Sequence, residues 1–128
     1  EQDLGAFLDA PRPAGDLLTA VIIPAGPVRS AWQDQRLTAT DFPALNVAVA
    51  KAAGGWRIAV GSRPGRGVLA TKAMALVNAA GDVKKAAAAA GRTATAELEF
   101  GSDLRGGADY RRELCAVLVE RALLEAAR

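Results

Sequence analysis

The sequence predicts an α+β fold, a two-layer sandwich in which an antiparallel sheet of about four strands is followed by about three helices on one face. Three observations predict it. Apolar residues alternate with polar or small ones through the first half, as in Leu45, Val47 and Val49 and again in Trp56, Ile58 and Val60, which is the period of a strand with one buried face. In the second half they return at helical spacing, as in Leu69, Ala73, Leu76 and Val77. Strands first and helices last, in a chain of 128 residues that is 51% hydrophobic, suit one compact core rather than two.

Taken in order, residues 1–15 end in Ala10-Pro11-Arg12-Pro13-Ala14-Gly15, and the prolines and glycine predict a tail or linker from a preceding domain. Residues 16–128 form the domain proper. The run 17–24 is β-branched and apolar and stops at Pro24, which predicts a buried first strand. Residues 29–40 mix Trp32 and Leu37 with polar side chains, as a second strand with one wet face does. Leu45 to Ala50 and Trp56 to Val60, joined through Gly54-Gly55, predict a hairpin. A helix follows over 68–79, ended by Gly81. Asp82 is placed to cap a short alanine-rich helix running to Gly91. Residues 93–100 alternate like a strand but carry helix-favouring Ala and Glu, and both readings stay open. In the last helix Tyr110, Leu114, Val117, Leu118 and Leu124 predict the inward stripe, with Arg111, Arg112, Glu113, Glu120 and Glu125 outside.

Composition excludes much chemistry. The 16 basic and 14 acidic residues are scattered, for a net charge of +2, so no stripe of charge is available to neutralise a phosphate backbone, and nucleic-acid binding is disfavoured. With no histidine and one cysteine, the chain cannot assemble a zinc site, an iron–sulfur cluster or a Ser-His-Asp triad. Cys115 reads as a small buried hydrophobe. Asp34 and Asp41 are not placed as a catalytic pair. No apolar run approaches the roughly 20 residues that a membrane-spanning helix needs, and a cytoplasmic location is expected. The chain begins with Glu1 rather than Met, which suggests a processed product or a piece of a longer polypeptide.

Two places invite a ligand or partner. The loop Gly61-Ser62-Arg63-Pro64-Gly65-Arg66-Gly67 lies between a strand and a helix, and its Arg63 and Arg66 suit an anion, although it lacks both the Walker spacing and GxGxxG and also reads as a plain turn. Tyr110 and Arg111 suit a contact with a partner subunit. They equally suit the first turn of a helix whose arginines pair with Asp103 and Asp109. Trp32 and Trp56 can pack in the core or stack on a flavin or a partner.

Several segments in order resemble the C-terminal domain of the FAD-carrying subunit of molybdenum hydroxylases, the xanthine and carbon monoxide dehydrogenase family. They are Asp16-Leu17-Leu18-Thr19-Ala20-Val21-Ile22-Ile23-Pro24, Asp41-Phe42-Pro43-Ala44-Leu45-Asn46-Val47-Ala48-Val49-Ala50, Ile58-Ala59-Val60-Gly61 with Pro64, and above all Ser102-Asp103-Leu104-Arg105-Gly106-Gly107-Ala108-Asp109-Tyr110-Arg111-Arg112. The resemblance implies an oxidoreductase in which a molybdopterin subunit hydroxylates substrate, an iron–sulfur subunit relays electrons and FAD passes them on. This domain would cover the flavin and dock its neighbours, while FAD-binding domains upstream hold most of the cofactor. Catalysis by this chain alone is not expected. By resemblance, Leu18 touches the flavin region, and Gln33 or Asp34 falls where family members commonly place a lysine near the flavin. Exchanging an ammonium for an amide or carboxylate there removes a charge that favours an anionic reduced flavin. The alternative is a stand-alone, non-catalytic binding or assembly module of the same fold.

Overall fold

A computed structural model describes residues 1–11, 14–23, 25–26 and 28–128. The elements are α1 (Leu4–Asp9), β1 (Arg29–Gln35), β2 (Leu45–Ala52), β3 (Gly55–Gly61), β4 (Val68–Leu69), α2 (Thr71–Ala79), α3 (Val83–Glu97) and α4 (Ala108–Ala126). The strands form one antiparallel sheet in the order β1-β2-β3-β4. The predicted α+β class therefore holds, as four strands followed by three helices, of which α2 and α4 pack against the sheet. α4 lies on β1 and β2, α2 on β3, and α3 spans the backs of α2 and α4.

The alternation in β2 and β3 sets the core. Leu45, Val47, Val49, Trp56, Ile58 and Val60 all point to the helices and are buried, because side chains two apart share a face. Asn78 extends the β3 edge beyond the short β4. Its Oδ1 accepts the Trp56 amide at 2.7 Å and its Nδ2 donates to the Trp56 carbonyl at 3.0 Å, as a neighbouring strand would. Gly55, at φ +100°, makes the turn, a conformation that favours glycine.

The predicted first strand is not one. Residues 17–23 form no helix or strand and have no ladder partner among the described residues, and Leu17, Leu18, Val21, Ile22 and Ile23 are 64–84% exposed. Pro24 lies outside the described residues. Propensity and hydrophobicity make this segment fit to be a strand, but a strand needs a neighbour, and the described residues supply none. The fourth place in the sheet goes instead to β4, inside what was expected to be the first helix.

Other boundaries shift for local reasons. β1 ends at Gln35, whose carbonyl accepts the Ala44 amide at 2.8 Å as the chain turns back. The helix expected from Val68 starts at Thr71. Residues 4–9, expected in a linker, form α1, capped by Asp3 Oδ1 on the amides of Gly5 and Ala6. Asp82 caps α3 as expected, accepting from the Lys84 amide at 2.9 Å. α3 does not stop at Gly91, however, but continues to Glu97.

The start of α2 has no capping side chain of its own, since Ala70 occupies the cap. Glu97, from the far end of α3, does the work. Its carboxylate accepts the amides of Lys72 at 2.8 Å and Ala73 at 3.0 Å, satisfying two of the free donors at a helix start with a charge of favourable sign. Glu97→Ala is expected to lower stability by about 1 kcal/mol, the usual value of a helix cap. Urea denaturation measures it, and an unchanged midpoint would remove the cap from the account.

Candidate functional site on the open face of the sheet

Helices cover one face of the sheet and leave the other open. In register across it, Trp32 pairs with Ala48, Ala48 with Ala59, and Ala59 with Leu69. The row has a large apolar side chain at each edge and two alanines between. Trp32 is 54% and Leu69 46% exposed, whereas Ala50, next to Arg57, widens the small-residue floor. A shallow depression of about 690 Å³ lies here, lined by Trp32, Ala48, Ala59, Leu69, Ser30 and Arg57 among others. A floor of alanines lets a flat group approach the backbone, and an indole at its rim offers a stacking face.

The sequence-predicted cofactor residues are not all brought to this face. Asp34 lies on it, two residues after Trp32. Gln33 points the other way, toward the helices, and donates from Nε2 to Glu125 Oε2 of α4 at 2.5 Å. Leu18 is exposed in the irregular segment before β1. Arg36, not singled out from the sequence, joins Asp34 through Nη2 at 2.5 Å. The signal that pointed to the open face was the alternation itself, which puts Trp32, Asp34 and Arg36 at every second position.

The candidate contact residues separate in the same way. Tyr110 is 45% exposed and accessible. Arg111 is fully buried, so it is not a surface contact, and the expected outward placement is corrected. Its Nε donates to the Ala44 carbonyl at 2.8 Å, its Nη1 to those of Gly101 at 2.7 Å and Gly106 at 2.5 Å, and its Nη2 pairs with Asp103. The expected pairing of Arg112 with Asp109 is present at 2.6 Å. Arg63 donates from Nη1 to the Glu99 carbonyl at 2.5 Å, and Arg66 pairs with Asp9 at 2.5 Å. Both loop guanidiniums are thus engaged within the chain.

The buried stripe of α4 is Arg111, Cys115, Leu118, Val119, Ala122, Leu123 and Ala126. Of the predicted stripe, Leu118 is in the core and Leu114 and Leu124 pack against it, whereas Tyr110 and Val117 face outward. Cys115 is buried as expected, and burial pushes its thiol pKa upward, keeping it in the unreactive protonated form. Among the described residues no cluster of acidic, histidine or cysteine side chains could hold a metal, and no helix is long and apolar enough to cross a membrane.

The comparisons agree with this architecture. Residues 30–126 match the family model for the CO dehydrogenase flavoprotein C-terminal domain. The structure resembles quinoline 2-oxidoreductase from Pseudomonas putida 86, with a TM-score of 0.72 and 26% identity over 82% of this chain and 39% of that one. It also resembles carbon monoxide dehydrogenase from Hydrogenophaga pseudoflava, with 0.70 and 29% over 80% and 37%, and that from Oligotropha carboxidovorans, with 0.70 and 25% over 82% and 39%. No curated protein gives a significant match. The chain spans under two fifths of the length of these solved chains. An antiparallel sheet with one open face, a helical layer built on a buried arginine and a family match over three quarters of the sequence lead to one statement: the chain belongs to the CO dehydrogenase flavoprotein C-terminal domain family.

Proposed function

We propose that this domain closes the flavin site of a molybdenum hydroxylase of the cytoplasm and helps to dock its neighbours. The reading is carried by the uncovered apolar side of the sheet, where Trp32 and Leu69 flank a floor of alanines. These residues fit a planar ring. The indole supplies a stacking face, the alanines leave room, and the carboxylate of Asp34 is balanced by Arg36 rather than left bare beside a flavin. FAD, when bound, supplies the redox chemistry by receiving electrons and passing them to an acceptor. This chain's own residues orient the ring, exclude water from one side of it and set the local charge.

The bare segment 17–23 supports the same reading. Five aliphatic side chains at 64–84% exposure need a cover, and FAD-binding domains upstream in a longer polypeptide are the cover proposed. Exposed Tyr110 is a proposed contact for a molybdopterin or iron–sulfur subunit, and Leu18 and Asp34 are proposed to lie nearest the flavin. The experiment is to purify the longest natural gene product that contains these residues and record its visible absorbance, alone and after adding FAD. A yellow, flavin-loaded protein is expected, with the 128-residue chain colourless by itself. A natural product that takes up no flavin would overturn the reading in favour of a stand-alone assembly module.

A further inference from the structure

On the outer face of β1 a single carboxylate oxygen gathers an indole N–H and a guanidinium. Asp34 Oδ2 accepts hydrogen bonds from the Trp32 indole Nε1–H at 3.2 Å and from Arg36 Nε at 2.7 Å, and lies 2.5 Å from Arg36 Nη2 in an ion pair. Trp32 and Asp34 stand two apart in an edge strand and so share one face, and Arg36, just past the end of β1, reaches back to the same carboxylate. The Asp34 side chain is 21% exposed, against 39% for Arg36, and it sits between the other two. Its cross-strand neighbour on that face, Asn46, is uncharged, so Arg36 is the charge that answers it. An indole that is 54% exposed has little packing to fix its ring, which leaves the bond to Asp34 as the restraint on its orientation.

We infer that Asp34 is a positioning residue, pinning the Trp32 ring and the Arg36 guanidinium to each other so that the open face presents an indole in one orientation beside a neutral ion pair. Its consequence for a ligand rests on the reading of this face as the flavin-closing surface; the positioning itself does not. The Arg36 hydrogen bond, reinforced by the indole, holds the Asp34 carboxyl below its ordinary range.

The test uses ¹⁵N–¹H spectra of the 128-residue chain, with the Trp32 indole resonance assigned through Trp32→Phe. In the unaltered protein that resonance is expected to move with pH as Asp34 titrates, and its order parameter to lie in the rigid range near 0.85, roughly as for ordered backbone. Asp34→Ala is expected to abolish the titration and drop the order parameter below about 0.6. Asp34→Asn, which keeps an acceptor, should lose the titration and retain the rigidity. Arg36→Met should raise the titration midpoint. An indole equally ordered and equally pH-sensitive in Asp34→Ala would overturn the inference, whatever binds the face. A second arm places Asp34→Ala in the flavin-loaded natural product and reads the flavin midpoint potential. A shifted potential supports both readings, whereas ordered-to-mobile behaviour with an unmoved potential upholds the positioning and overturns the flavin-closing face.

Discussion

Arg111→Leu is expected to lower stability by about 3–5 kcal/mol, the range seen when one member of a buried charged network is removed. The argument is one of unmet acceptors. The guanidinium serves the carbonyls of Ala44, Gly101 and Gly106 and the carboxylate of Asp103; the Gly106 carbonyl keeps the Asp103 amide as a second donor, but a buried carbonyl that loses its donor costs about 1–3 kcal/mol. Leucine fills part of the volume but donates nothing. Arg111→Lys should fall between the two, because one ammonium cannot span acceptors spread around a planar fork. Urea denaturation of the three proteins gives the order, and a lysine variant as stable as the parent would show that the fork geometry is unimportant.

The same network fixes the direction of an acid effect. The Arg111 hydrogen bond, followed by the Arg105 backbone amide, lowers the pKa of Asp103 in the folded state. A lowered native value means the contribution is complete above the unfolded-chain value, near about 4, and is lost as pH falls through the native one. Asp103→Asn should therefore flatten the acid limb of the stability profile while leaving the neutral region with a fixed deficit.

Arg111 also explains what the sequence conceals. Its place in the Ser102–Arg112 segment was legible as a signature, and its pairing with Asp103 was anticipated. Its burial was not, because charge is a signal for the surface unless partners converge, and three of its four partners are backbone carbonyls that no side-chain pattern encodes. The apolar residues Leu114, Leu118 and Leu124 nevertheless marked the inward side of α4 correctly. The hairpin of β2 and β3 was readable because every second side chain is apolar and the turn is Gly54-Gly55. The role of residues 17–23 was not, since strand propensity describes a segment's fitness to pair and not the presence of a partner. Within the open face, Trp32 and Asp34 were visible as candidates, yet their link through one carboxylate oxygen depends on side-chain geometry. The Glu97 cap joins residues 25 apart in sequence and lies beyond any local rule.

Gly91→Ala is the other large expectation, and here two physical effects oppose each other. In an exposed helix interior, alanine is preferred to glycine by about 1 kcal/mol, so propensity alone predicts a gain. Gly91, however, faces α4 so closely that a Cβ would overlap the carbonyl of Ala116. That carbonyl belongs to helix backbone and cannot rotate aside as a side-chain end would. The buried face of α3 consists of Ala86, Ala87, Ala90, Gly91 and Ala94, a sequence of minimal side chains that lets the two helices approach. Overpacking of this kind costs about 1–3 kcal/mol, so a net loss is expected for alanine, and Gly91→Leu should lose more. Calorimetric melting of both variants decides the sign. A stabilised Gly91→Ala would show that α4 can move away freely. Such freedom would matter beyond stability, because α4 packs on β1 and β2, and the other side of β1 carries Trp32 and Asp34.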